Sequence, residues 1–248
     1  MRSLTAGWLL LRGVAHAAGG WWTIRRRFGG LSQAEREARV QQWARRFLQL
    51  WRIELQVQGA PPRGGPVMLV VNHISWLDIL VLHAAGYCRF VAKSEVRHWP
   101  LIGRLASGAG TLYIERASRR DALRVVHHMK DALLRGEVLA AFPEGTTSNG
   151  SALLPFHANL IQAAISAQAP VQPVGLSFVE ARTGAISLAP SYVGDESLLA
   201  SVWRTLRTPG LRAVVRYGAP QPAHERERRA WAAELRQAVE ALRSPQAL

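Results

Sequence analysis

The chain has 248 residues, 48% of them apolar and 19% charged, with a formal net charge of +14. That length suits one α/β domain with its own core, and the composition excludes a disordered tail and a multi-span membrane protein. Cys88 is the only cysteine, which excludes an internal disulfide and a thiolate zinc cluster and permits a reducing compartment. Only Lys93 and Lys130 are lysines, so the positive charge is nearly all arginine. Such a surface is drawn to anionic lipid, nucleic acid or an acidic carrier.

Residues 4–17 form an apolar stretch broken by Arg12 and by glycines. A clean spanning helix wants about 20 apolar residues. Trp21, Trp22 and Arg25-Arg26-Arg27 follow at once. That order predicts a segment lying in the membrane interface, with the tryptophans at headgroup depth. A true span and a cleaved signal peptide are the alternatives.

Residues 31–58 read as helix. Ser32 and Glu35 make a capping box, and Val40, Trp43, Phe47, Leu50 and Trp51 share one face. The face suits packing on the domain or lying on a membrane surface. The Pro61–Pro66 loop separates an N-terminal, membrane-associating helical region (1–60) from an α/β domain (61–248).

Within that domain the pattern predicts strands at Val67–Val71, Arg89–Ala92, Gly110–Ile114, Glu137–Phe142, Val171–Phe178, Ala185–Leu188 and Leu211–Tyr217. Helices are predicted from Ser75 to Ala85, and over Trp99–Gly108, Asp121–Arg135, Asn159–Ala167 and Glu225–Leu242. The alternation argues for an α/β fold: a mixed, largely parallel central sheet flanked by helices.

Three segments carry candidate chemistry. His73 follows a buried strand and precedes a helix, and Asp78 lies five residues on, within the first helical turn. A carboxylate on one imidazole nitrogen leaves the other to take a proton from a hydroxyl. Ser75 and Asp78 also form a serine-x-x-acid cap by themselves, in which case His73 is an ordinary loop histidine. The second segment is Phe142-Pro143-Glu144-Gly145-Thr146-Thr147-Ser148, again at a strand end. Its main-chain N–H groups near Gly145 are candidate oxyanion donors. The third, Gly110 to Arg116, ends in an arginine able to grip a phosphate with two parallel bonds. The adjacent His127 and His128 point about 100° apart on a helix, so no metal site is expected there.

Taken in order, these segments resemble the glycerophospholipid acyltransferase family, the 1-acylglycerol-3-phosphate acyltransferases and their relatives. The resemblance runs from about Val67 to Val174. It rests on the His-x4-Asp motif of His73 and Asp78, on Gly110 with Tyr113-Ile114-Glu115-Arg116, on Phe142 to Thr146, and on Val171-Gln172-Pro173-Val174. It implies direct transfer of a fatty acyl group from acyl-CoA or acyl-carrier protein to the hydroxyl of a lysolipid. No other cofactor and no acyl-enzyme intermediate is implied. His73 would be the base and Asp78 its support, with Arg116, Glu144, Gly145 and Thr146 as the substrate-binding set. 1-Acylglycerol-3-phosphate is the first acceptor it implies. Phosphatidate-forming members often carry arginine after the Gly-Thr of the third motif, where this chain has Thr147. Residues 90–95 and 145–148 are also similar to bacterial lyso-ornithine lipid acyltransferases, which gives the alternative acceptor. A membrane surface is the expected partner, at the cytoplasmic face of the inner membrane. A non-catalytic basic module is the reading of another class, but no nucleic-acid-binding motif is present, so nucleic acid is not expected as a partner.

Overall fold

The computed structural model describes residues 2–114 and 119–244. Among the described residues, seven strands form one sheet in the order β1-β7-β6-β2-β5-β3-β4. They are β1 (Glu54–Gln58), β2 (Val67–Val71), β3 (Arg89–Lys93), β4 (Leu112–Ile114), β5 (Val138–Ala141), β6 (Val171–Glu180) and β7 (Leu211–Tyr217). Strands β2 to β6 run parallel. β7 is antiparallel to β6, and β1 pairs parallel with β7. The sheet is therefore mixed and largely parallel, as the alternating pattern implied.

Successive residues of β2 feed opposite faces, as a strand's two-residue period requires. Leu69 and Val71 join α2 (Gln33–Leu50), α3 (Leu77–Ala85) and α7 (Leu198–Arg207) in one core. Met68 and Val70 join α5 (Arg119–Leu134), α6 (Ala158–Ala167) and α8 (Arg228–Arg243) in the other. A strand buried on both faces reads as a continuous apolar run, and Val67 to Val71 is one.

Three readings of the pattern are corrected. Residues 54–58 are strand, not helix: Arg52 takes a positive φ of 57°, which ends the helical path, and the next residues pair with β7. Ala185–Leu188 forms no strand and contributes only an isolated bridge from Ile186 to Val179. Helix α7 was not anticipated. Its start is capped by the Ser197 hydroxyl, which accepts the Ala200 N–H at 3.2 Å.

The N-terminal region is one helix, α1 (Arg2–Arg27), followed by α2. The expected capping box is present: the Ser32 N–H donates to Glu35 at 2.8 Å and the Glu35 N–H to the Ser32 hydroxyl at 3.4 Å. The buried face of α2 is Val40, Ala44, Phe47 and Leu48. Two tryptophans join α1 to α2. Trp51 donates its indole N–H to the Leu9 carbonyl at 3.0 Å, and Trp43 donates to the His16 carbonyl at 3.3 Å. The indoles reach so close because α1 has glycine there: a Cβ at Gly13 would lie 2.4 Å from Trp51, and one at Gly20 2.5 Å from Trp43. The outer face of α1 exposes Leu4, Trp8, Leu11, Val14 and Trp22. Among the described residues, no helix is long and apolar enough to cross a membrane.

Candidate active site

The site grows from the carboxyl end of β2, where open α/β sheets place their ligands. Strand β2 lies between β5 and β6, with Val70 opposite Ala141 and Val71 opposite Val174. Just past its last residue, the buried Asn72 side chain continues the pairing. Its amide donates to the Leu176 carbonyl at 2.9 Å and its oxygen accepts the Leu176 N–H at 2.8 Å. The chain then leaves the sheet at His73.

Asp78 stands at the start of α3, fully buried. Its Oδ2 accepts three donors: His73 Nδ1 at 2.8 Å, the Ile74 N–H at 2.7 Å and the Ser75 N–H at 2.9 Å. Turn-capping and imidazole support are thus performed by one oxygen together. The two main-chain donors fix the position of the carboxylate, and the carboxylate in turn fixes the ring. An imidazole that donates from Nδ1 presents its lone pair at Nε2. Asp78 Oδ1 is buried without a hydrogen-bond partner, so the carboxylate's engagement runs through Oδ2.

The His73 ring lies flat on Phe142, with centroids 3.9 Å apart and planes at 11°. Phe142 in turn stacks on Phe90 at 5.7 Å. The His73 side chain is 18% exposed and borders a cavity of about 1500 Å³ that extends between α1, α2 and the segment around α4 (Ile102–Gly108). Trp76, Phe90 and Tyr192 are among its walls. A mostly apolar cleft with a few polar groups converging on one end is the usual form of a small-molecule site.

Adjacency of β2 and β5 brings the second motif to the first. Glu144 is 4% exposed. One carboxylate oxygen accepts the His73 main-chain N–H at 2.7 Å, the other the Leu154 N–H at 2.8 Å. Burial raises its pKa, against the pull of those two N–H groups and of the His73 and Arg243 charges. The His73 carbonyl accepts the Ser148 N–H at 2.9 Å. Both main-chain groups of His73 are therefore held by the loop after β5. Gly145 has a φ of 74°, a conformation that favours glycine. Its N–H donates to the Phe142 carbonyl at 3.1 Å, so the turn itself uses one of the main-chain donors in this stretch. Thr146 is exposed and lines the cavity. Thr147 lines it too, and its hydroxyl donates to the Tyr192 carbonyl.

Of the residues singled out from sequence, His73, Asp78, Glu144, Gly145 and Thr146 come together here. Arg116 lies outside the described residues. Phe142 and Phe90 under the imidazole, Asn72 beside it and Tyr192 across the cavity were not singled out for these places. The aromatic opening of the Phe-Pro-Glu-Gly-Thr run was the signal for Phe142. Among the described residues, no three His, Cys, Asp or Glu side chains are placed to hold a metal.

A strand-end imidazole, oriented by a buried carboxylate, thus stands at the head of a large, mostly apolar cavity. The sequence model of the family described as Acyltransferase matches residues 52–177, and the chain belongs to that family. It is 36% identical to a lyso-ornithine lipid O-acyltransferase of Pseudomonas aeruginosa, over 96% of this chain and 91% of that one. It is 38% identical to a 1-acyl-sn-glycerol-3-phosphate acyltransferase of Neisseria gonorrhoeae, over 68% of this chain and 66% of that one. The crystal structure of the 1-acyl-sn-glycerophosphate acyltransferase PlsC from Thermotoga maritima shares the fold, with a TM-score of 0.70 at 20% identity over the whole of both chains.

Proposed function

We propose that the protein transfers a fatty acyl group from a thioester, acyl-CoA or acyl-carrier protein, to the hydroxyl of a lysolipid. The observation that carries this is the 2.8 Å contact from His73 Nδ1 to the buried Asp78, with the ring on the wall of the large apolar cavity. Nε2 takes the proton as the hydroxyl oxygen attacks the thioester carbonyl. The carbon–sulfur bond then breaks, and the imidazolium returns the proton to the departing thiolate. Base catalysis of this kind contributes about 10²–10⁴-fold. With the Gly145 N–H used by its turn, the oxyanion donors fall to the cavity-lining Thr146 and its neighbours.

Lyso-ornithine lipid is the acceptor this reading favours. The likeness to the Pseudomonas enzyme spans nearly the whole chain, and Thr147 stands where phosphatidate-forming members often carry arginine. Lysophosphatidate is the second reading, supported by the Neisseria relative. The exposed apolar face of α1, with tryptophan at both ends and arginines in its last turn, suits a membrane surface. The cytoplasmic face of the inner membrane is where the thioester donors would reach it.

Purified protein, labelled acyl-CoA or acyl-carrier protein, and each lysolipid in vesicles test this directly. Ester formation with lyso-ornithine lipid, abolished by His73→Ala, is expected. Preference for lysophosphatidate would replace the acceptor and leave the reaction standing. No ester with either acceptor would remove the reading.

A further inference from the structure

Besides His73, the cavity is bordered by His16 and His83, and His83 takes no part in the chemistry above. His83 lies on α3, 5% exposed. Its Nδ1 is buried without a hydrogen-bond partner. His83 lines the cavity, and with Nδ1 sealed, Nε2 is the ring nitrogen left to reach it. The ring meets Phe90 edge-on at 4.9 Å and stacks on Tyr87 at 5.8 Å. A continuous wall of rings thus joins the two histidines: His73 on Phe142 at 3.9 Å, Phe142 on Phe90 at 5.7 Å, and Phe90 against His83 at 4.9 Å. His83 stands along the cavity, three rings from the reacting end.

A buried polar side chain without a partner is a cost that a leucine or phenylalanine would avoid. Burial also pulls the His83 pKa down to about 4, so the ring is neutral at physiological pH. Neutral imidazole offers one donor and one acceptor. A hydroxyl group offers both as well, and so fits Nε2 in either tautomer. A carboxylate or ammonium does not fit, because nothing at the ring balances its charge.

We propose that His83 reads the acyl chain lodged in the cavity, and that the site favours a donor chain carrying a hydroxyl at the depth of His83 over the unsubstituted chain of the same length. This rests on the acyl-transfer reading. It adds to that reading a polar subsite within an otherwise apolar wall.

The test uses acyl-CoA donors of one length, one unsubstituted and the others with a single hydroxyl moved along the chain. Each is set in competition with the unsubstituted donor, using the full-length protein, His83→Phe and His83→Gln. One hydroxyl position is expected to be preferred about 2–10-fold. His83→Phe should erase that ratio, and His83→Gln, which can still hydrogen-bond, should restore part of it. The same ratio in the wild type and His83→Phe overturns the proposal, as does a wild-type preference for the unsubstituted chain against every hydroxylated one. If no chain is transferred at all, the acyl-transfer reading fails and this proposal with it. Should the variants not fold, nitrogen NMR of the wild-type histidine rings serves. The His83 Nε2 signal should move with the preferred hydroxylated donor and hold still with the plain one. Equal movement with both overturns the proposal.

Discussion

Glu144 accepts the main-chain N–H of His73 at 2.7 Å, across 71 residues of sequence. Its second oxygen is equally occupied, by the Leu154 N–H. A carboxylate with both oxygens on main-chain donors acts on the backbone that carries the imidazole. Glutamine in its place can accept one of these bonds and must turn its NH₂ towards the other donor. Glu144→Gln should therefore lower kcat by about 10–100-fold and stability by about 1–3 kcal/mol. Acceptor KM should stay within about twofold, because the loss falls on the position of the base. Steady-state kinetics and urea unfolding check both. A large rise in acceptor KM at near-normal kcat would instead put Glu144 on the acceptor's head.

Asp78→Asn tests the other support. Oδ2 holds three donors at once, and an asparagine oxygen can keep them only by placing its NH₂ where the buried, partnerless Oδ1 now lies. Charge is lost, and a buried donor is left unmet. The expected result is a loss of about 10²–10⁴-fold in kcat, similar to His73→Ala. The double variant should be scarcely worse than either single one, since the two groups act as a unit. Additive losses would mean that the residues work independently.

The His73–Asp78 pair was legible because its geometry is local. Five residues and one helical turn are enough to fold the carboxylate back, whatever the rest of the chain does. The Glu144–His73 bond was not legible in that way. It depends on β2 and β5 being neighbours, which is decided by the order of strands rather than by either motif. The parallel sheet could be read from short apolar runs such as Val67–Val71, buried on both faces. β1 was missed because the helical face ending at Trp51 hid the change to a two-residue period at Ile53, Leu55 and Val57. α7 carried a readable signal in Ser197 followed by Leu198, Val202, Thr205 and Leu206. Its segment lies outside the three that carry candidate chemistry.

Arg243 and Arg236 on α8 supply a third prediction. Arg243 donates to the Gly150 carbonyl and, at 3.1 Å, to that of Ser151. Arg236 reaches the carbonyls of Leu153 at 2.7 Å and Leu154 at 3.2 Å. Together they fasten the loop whose Leu154 N–H holds Glu144 and whose Ser148 N–H holds the His73 carbonyl. Arg243→Ala should loosen that loop, cost about 1 kcal/mol of stability and lower kcat several-fold. Hydrogen exchange should quicken over residues 148–154 and remain slow in β2. Unchanged exchange in the loop would show that it holds its shape without α8.

His83 should govern part of the protein's acid sensitivity. Burial lowers its pKa from 6.5 to about 4, so between those values the unfolded chain binds a proton that the folded one refuses. Stability from this group is then present above pH 6.5 and is lost as pH falls towards 4, by about 3 kcal/mol in all. Its ring neighbour Tyr87 does not titrate in that window, because burial raises its pKa. Glu144 pulls the other way: with a pKa raised by burial, it favours the folded state as pH falls. Comparing wild type with His83→Leu cancels that contribution and isolates the histidine. Urea midpoints at pH 7 and pH 4.5 should lie closer together in the variant, by an amount worth about 2–3 kcal/mol. An identical pH dependence in both proteins would mean that His83 takes up its proton in the folded state as easily as in the unfolded one.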